Sequence, residues 1–234
     1  MKKILILTLS CNQPPYDKMM YTQQRTWDTV MADGMETIYY CGGSTYKENT
    51  EKIIYLPVRE SLHTMGEKLL LAFEWALQNK DFDYIARPHS CIYVDKKELR
   101  KYVDTLPDND VISGLQVLGD PVWLWGGCGF VLSKDVVKKI VANKHGWDHT
   151  KMEDMALSMI AAALGISFTQ GRGCSIDKKS EGVWSCTSYG TPGFDFENFE
   201  EMKKSGQYFI RVKQDGHREV DEIIMNELFK NLNQ

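Results

Sequence analysis

Asp81-Phe82-Asp83-Tyr84-Ile85-Ala86-Arg87-Pro88-His89-Ser90-Cys91-Ile92-Tyr93-Val94-Asp95 is the stretch on which the fold turns. Tyr84-Ile85-Ala86 reads as an apolar strand and Cys91-Ile92-Tyr93-Val94 as a second extended run, with a polar break between them. Pro88 fixes its own φ and pushes Arg87 toward extended geometry, so the chain turns just past the strand end. In α/β proteins ligands gather beyond the carboxyl ends of strands, which puts Arg87, His89 and Ser90 where chemistry sits. On local pattern alone, the same residues also read as a buried strand with an ordinary polar loop.

On either side of this stretch, strands alternate with helices. Ile4 to Leu9 is a β-rich apolar run suited to a central strand buried on both faces. Tyr16 to Met31 reads as a helix with Met19, Met20, Trp27 and Val30 inward, and Glu36–Cys41 and Ile53–Pro57 as strands. Thr64 to Asn79 has helical period, with Thr64 and Glu67 at capping-box spacing. Helices are expected at Lys96–Leu106, Lys134–Ala142 (capped by Ser133), Glu153–Leu164 and Arg218–Leu232, the last burying Val220, Ile223, Ile224, Leu228 and Leu232. Strands are expected at Asp110–Gly114, Val122–Trp125, Gly129–Leu132, Ile166–Phe168 and Tyr208–Lys213, and a long functional loop from Gly171 to Phe199. The alternation implies one α/β domain over residues 1–234, a sandwich with a mostly parallel central sheet flanked by helices.

Composition narrows the class. A chain of 234 residues with 43% hydrophobic and 26% charged residues is globular. A net charge of −4 and no Lys/Arg cluster argue against nucleic acid as a partner. The six cysteines form no C-x-x-C pair and no zinc spacing to a histidine, and Cys11, Cys91 and Cys128 lie in or beside apolar runs. Met1-Lys2-Lys3 followed by Ile4 to Leu9 imitates a signal peptide, but a first core strand explains it better, and no stretch reaches membrane-spanning length. The expected setting is reducing and cytoplasmic.

There is no P-loop, no G-x-G-x-x-G and no G-x-S-x-G. Gly126-Gly127-Cys128-Gly129 is followed by a strand rather than a helix, so it reads as a tight turn beside a pocket. Glu153-Asp154 opens a helix, either as charge favourable to its first turn or as a carboxylate at a cleft serving as general base. Alternation puts Arg211 and Lys213 on one face of a strand, with Arg218 close behind. Such a group is a solvated face or, aimed at one pocket, a diphosphate site. His63, His145 and His149 read as surface or loop residues.

These features occur in one order: Gln24-Arg25-Thr26-Trp27, a helix containing Lys68 and Trp75, Asp83 to Arg87, Trp125 to Ser133, and Glu153-Asp154-Met155. The series, from about residue 4 to 168, resembles the inverting GT-A glycosyltransferases of the Fringe and β1,3-galactosyltransferase type. The resemblance implies a nucleotide-sugar donor, first of all a uridine diphosphate sugar, and a glycan or glycoconjugate acceptor. It makes Asp154 the base that deprotonates the acceptor hydroxyl. Arg25, Arg87, His89, Ser90, Arg211, Lys213 and Arg218 are then the expected donor-binding residues, and Trp125, Gly126, Gly127 and Glu153 border the sugar and acceptor.

One departure falls on the opening stretch. Where that family places Asp-x-Asp or Asp-Asp-Asp, this chain has His89-Ser90-Cys91. Without carboxylates there is no evident site for Mg²⁺ or Mn²⁺. The expectation is therefore a transferase with no metal or other cofactor, in which Arg211, Lys213, Arg218 and Arg87 stabilise the leaving diphosphate. The alternative is a GT-A-fold protein that binds sugar or nucleotide and has lost catalysis.

Overall fold

The computed structural model of the chain describes residues 1–43, 48–119, 121–180, 183–187, 195–196, 199–214 and 217–233. In chain order the elements are β1 (Ile4–Leu9), α1 (Tyr16–Arg25), β2 (Met35–Gly42), β3 (Ile53–Leu56), α2 (Met65–Asn79), β4 (Tyr84–Arg87), β5 (Ile92–Val94), α3 (Lys96–Thr105), β6 (Ile112–Gly114), β7 (Gln116–Val117), β8 (Trp123–Leu124), β9 (Phe130–Ser133), α4 (Lys134–Ala142), α5 (Glu153–Ala163), β10 (Phe168–Gln170), β11 (Gly173–Ser180), β12 (Val183–Thr187), β13 (Asp195–Phe196), α6 (Phe199–Lys204), β14 (Phe209–Arg211) and α7 (Glu219–Leu232).

A seven-stranded sheet, ordered β10-β6-β9-β4-β1-β2-β3, is the core of the molecule. It is parallel except for β9, which runs antiparallel to both β4 and β6. All six residues of β1 are buried, as a strand covered on both faces requires. One face packs against α2, α4 and α5. The other packs against α1, α3 and α7 and against a second, five-stranded sheet ordered β13-β12-β11-β14-β5.

The turn at Pro88–Cys91 carries the chain from the large sheet to the small one. The N–H of Leu9 bonds the carbonyl of Pro88 at 3.0 Å, and Val212 bonds the carbonyl of Cys91 at 2.8 Å. β14 pairs antiparallel with β5, setting Arg211 opposite Ile92. The carboxyl ends of β1, β4 and β14 therefore converge on this turn.

Several local readings need correction. The first helix stops at Arg25 rather than running to Met31, because Thr26 turns back with its Oγ1 donating to the carbonyl of Thr22 at 2.7 Å and a 3₁₀ turn follows. Thr64 does not cap α2: its hydroxyl donates to the carbonyls of Arg59 and Ser61, and Ser61 caps a preceding 3₁₀ turn by accepting from the N–H of His63. Ser133 likewise donates to Asp135 at 2.6 Å instead of capping α4. Within Gly171–Phe199, residues 173–180, 183–187 and 195–196 are strands of the small sheet, and residues 181–182, 188–194 and 197–198 lie outside the described ones. The strand expected at Ile166–Phe168 starts at Phe168, and Ile223 is 50% exposed while Ile224 and Met225 take the buried positions. Cys11, Cys91 and Cys128 are free thiols, and the side chain of Cys186 lies outside the described ones. Among the described residues, no helix is long and apolar enough to cross a membrane.

Gly129 has φ +77°, and a Cβ there would stand 2.7 Å from the carbonyl of Arg87 and 3.1 Å from the ring of Phe209. Gly165, with φ +72°, has open space around it. Gly165→Ala is expected to cost the left-handed backbone penalty alone, about 1–2 kcal/mol. Gly129→Ala should cost at least about 1 kcal/mol more, because the added methyl overpacks the strand end. Urea unfolding of both variants measures the difference, and equal losses would show that the close approach at Gly129 does not matter.

Candidate active site

A cleft of about 430 Å³ opens where these strand ends meet. Its lining draws on the segment after β1 (Ser10, Cys11), the Pro88–Cys91 turn (His89, Ser90), the glycine turn (Trp125, Gly127), the start of α5 (Glu153, Asp154), and the β14–α7 connection (Arg211, Lys213, Arg218). Apart from Ser10 and Cys11, the sequence places chemistry at these same residues, and the fold gathers them from distant parts of the chain.

Arg87 does not line the cleft but lies beneath it, fully buried. Its Nη2 donates to Glu153 Oε1 at 3.0 Å, Nη1 to the carbonyl of Gly126 at 3.3 Å, and Nε to the hydroxyl of Tyr40 at 3.2 Å. The guanidinium also sits 5.0 Å from the centre of the Phe130 ring. Arg87 is thus a brace for Glu153 and the glycine turn, not a donor-facing cation. Arg25 is outside the cleft altogether, exposed and donating to Thr22 Oγ1 at 3.3 Å. The motif around it is structural: Trp27 is fully buried, and Asp28 holds Lys96 at 3.1 Å and Lys52 at 2.8 Å.

Asp154 is positioned by two backbone amides. Its Oδ2 accepts from Gly126 at 2.9 Å and its Oδ1 from Met155 at 2.8 Å. Gly126 is required here, since a Cβ would fall 2.8 Å from Asp154 Cβ. Burial, with the negative field of Glu153 second, raises the Asp154 pKa against the two amide bonds and Arg87, which lower it. The carboxylate consequently holds a proton more readily than an ordinary aspartate, the property a general base needs.

Positive charge collects on another side of the cleft. Arg211 lies with its guanidinium carbon 4.9 Å from the Trp125 ring centre, and its buried Nε–H has no hydrogen-bond acceptor among the described residues. Arg218 pairs with the fully buried Asp221 at 2.7 Å and sits 5.4 Å over the Tyr16 ring. His89 senses the resulting field. Burial first, then the charges of Arg87, Lys68, Arg211 and Arg218, hold its imidazole well below the usual pKa. Its Nδ1 accepts from the N–H of Ser90 at 3.1 Å, so the neutral ring carries its proton on Nε2.

Lys68, Glu60 and Ser10 complete the site, unforeseen as ligand-facing residues. Lys68 is buried and donates to Glu60 Oε2 at 2.7 Å and to the carbonyl of Ser10 at 2.9 Å. Glu60 in turn accepts from the N–H of Gly42 at 2.5 Å. The signal was available: Lys68 stands four residues before Ala72 and eight before Ala76, in the apolar stripe of α2.

The metal of DxD-containing GT-A enzymes is not matched by the residues present. His89, Ser90 and Cys91 supply an imidazole whose Nδ1 is already engaged, a buried hydroxyl and a buried thiol, whereas a hard divalent cation takes carboxylate and other oxygen ligands. The positive field at His89 opposes a cation further. Among the described residues, no group of three or more His, Cys, Asp or Glu side chains is arranged to hold a metal ion.

No family model matches the sequence, and no curated protein matches it. Among solved structures the chain is similar to a glycosyltransferase involved in the glycosylation of the major capsid of PBCV-1, with a TM-score of 0.56 and 11% identity over 96% of this chain and 99% of that one. A 2-C-methyl-D-erythritol 4-phosphate cytidylyltransferase of Francisella tularensis follows at a TM-score of 0.42 and 10% identity, covering 87% of this chain and 98% of that one. The first likeness establishes a GT-A-like fold of the Rossmann type.

Removing Arg87 leaves Glu153 buried without its partner. Arg87→Met is expected to cost about 3–5 kcal/mol, and Arg87→Met with Glu153→Met much less, because the pair is then replaced by apolar packing. Urea unfolding of the wild type, both single variants and the double variant reads the coupling. A double variant as unstable as the sum of the singles would sink the bracing role.

Proposed function

We propose that this protein is an inverting glycosyltransferase that moves a sugar from a nucleotide-diphosphate donor to an acceptor hydroxyl without a metal ion. The observation that carries the reading is a single cleft, at the carboxyl ends of the strands of a GT-A-like sheet, shared by a carboxylate of raised proton affinity and a group of cations. Ligands of open α/β sheets bind at this edge. The ordered motifs from Gln24 to Met155 support the Fringe-type assignment.

In this reading the diphosphate lies against Arg211, Lys213 and Arg218. The unpartnered Nε–H of Arg211 and the Nε2–H of neutral His89 are suited to phosphate oxygens. Asp154 takes the proton of the acceptor hydroxyl. The oxygen then forms its bond to the anomeric carbon while the bond from that carbon to the diphosphate oxygen breaks. The electron pair leaves with the nucleotide diphosphate, whose charge the fixed cations stabilise. Glu153, tied down by Arg87, and Trp125, backed by Arg211, border the sugar. A uridine diphosphate sugar is the donor to try first, and a glycan or glycoconjugate the acceptor.

Transfer or donor hydrolysis by the purified protein, assayed with uridine diphosphate sugars in EDTA, tests the reading. Asp154→Asn should lower kcat by about 10²–10⁴-fold, with nucleotide binding retained. The base must be ionised to act, so kcat/KM should fall as pH drops through the Asp154 pKa. That limb should lie above the ordinary aspartate value of 3.8 and vanish in the variant. Full activity of Asp154→Asn overturns the base assignment, and loss in EDTA with recovery in Mn²⁺ overturns metal independence. Nucleotide binding with neither transfer nor hydrolysis selects instead a binding protein on the same fold.

A further inference from the structure

The two walls of the cleft differ in chemistry because they come from opposite faces of the large sheet. The cationic wall belongs to β14 and α7, which pack with α1 and β5 on one face. The other wall is the start of α2 and of α5, which pack together on the opposite face. That wall presents Leu62, Met65 and Met152, immediately ahead of or within the first turns of those helices. Leu62 is 61% exposed and Met152 is 45% exposed. Large apolar side chains grouped at the mouth of a polar cleft mark a surface that a ligand covers.

On the transferase reading given above, we propose that the acceptor carries its reactive hydroxyl beside an apolar group, an alkyl or aryl aglycone, which lies against Leu62, Met65 and Met152. The assignment follows from how the cleft is divided. The nucleotide diphosphate takes the cationic wall, leaving the apolar wall to the second substrate. Met152 precedes Asp154 by two residues, so a group bonded close to the hydroxyl at Asp154 reaches it. The aromatic ring that would stack on a sugar, Trp125, already has the Arg211 guanidinium 4.9 Å from its centre. A purely polyhydroxylated acceptor would leave the three apolar side chains against hydroxyl groups and water, whereas a hydrocarbon would bury them. Two of the three are methionines, whose flexible thioethers adapt to more than one hydrocarbon shape.

The test compares octyl β-D-glucoside, below its micelle-forming concentration, with methyl β-D-glucoside, each titrated calorimetrically into protein saturated with uridine diphosphate. The octyl glycoside should bind at least about tenfold more tightly, as burial of several methylenes requires. Leu62→Ser and Met152→Ser should each reduce that preference at least about threefold without lowering the melting temperature, both side chains being exposed and Met152 standing at the N-cap of α5, where serine is favoured. Equal affinity for the two glycosides overturns the proposal, as does an octyl preference that survives both substitutions. The outcome separates from that of the transferase reading. If uridine diphosphate fails to bind yet the octyl preference persists and depends on Leu62 and Met152, the apolar subsite stands and the nucleotide assignment falls. If uridine diphosphate binds and the preference is absent, the reverse holds.

Discussion

The buried ion pair between Arg87 and Glu153 is the constraint on which the site depends. Taking two charges fully out of water is costly, and the cost is offset only when their remaining hydrogen-bonding capacity is met. Arg87 meets that condition on its own side by using all three of its nitrogens, on Glu153, on the carbonyl of Gly126 and on Tyr40, while Glu153 Oε2 has no hydrogen-bond partner among the described residues. It therefore fixes the end of β4, the glycine turn and the first turn of α5 relative to one another. Asp154 follows in the chain and takes the N–H of Gly126, so its position is a consequence of the same brace.

A second pair repeats the device at the neighbouring strands. Lys68 and Glu60 hold the carbonyl of Ser10, just past β1, and the N–H of Gly42, at the end of β2. Strand ends are where a parallel sheet runs out of hydrogen-bond partners, and loops there must satisfy their backbone groups by other means. Here charged side chains do so while forming the floor and one side of the cleft. Rigidity and polarity at the site thus come from the same residues.

How far the sequence could be read depended on whether a residue's partner lay nearby in the chain. β1, α2 and α5 were legible because burial writes a continuous apolar run or a helical stripe into a single segment. The meeting of Asp154 with Trp125 and His89 was legible only through the order of motifs, and the Arg211–Arg218 segment only through strand alternation and the charge a diphosphate requires. Arg25 and Arg87 show the limit of that route. Both are arginines in motif positions, yet one is exposed on α1 and the other is consumed by Glu153 beneath the floor. The strands in Gly173–Thr187 were misread as loop because Lys, Ser, Asp and Gly interrupt them, and they form by pairing with one another and with β14 rather than by local preference. Cap assignments failed for a related reason: the hydroxyls of Thr64 and Ser133 donate to nearby oxygens instead of accepting from a helix N–H.

The charges on the β14–α7 side of the cleft also have the opposite sign to the whole molecule. The chain carries a net charge of −4, yet burial first and then the surrounding cations hold the His89 pKa well below its usual value. At physiological ionic strength, exposed charges more than about 8 Å away are largely screened. An anion arriving at the cleft therefore meets Arg211, Lys213 and Arg218 rather than the acidic surface behind it. An acidic metal cluster would invert this arrangement, since adjacent carboxylates repel one another until a cation joins them. Permanent guanidinium and ammonium groups need no such partner, and those on Lys68, Arg87 and Arg218 are already balanced by buried or half-buried carboxylates. His89-Ser90-Cys91, which brings no carboxylate to the strand ends, is in this sense consistent with the rest of the site. The electrostatics of its cationic side suit an anion directly, and the buried N–H of Arg211, which lacks an acceptor among the described residues, is the group such an anion would satisfy.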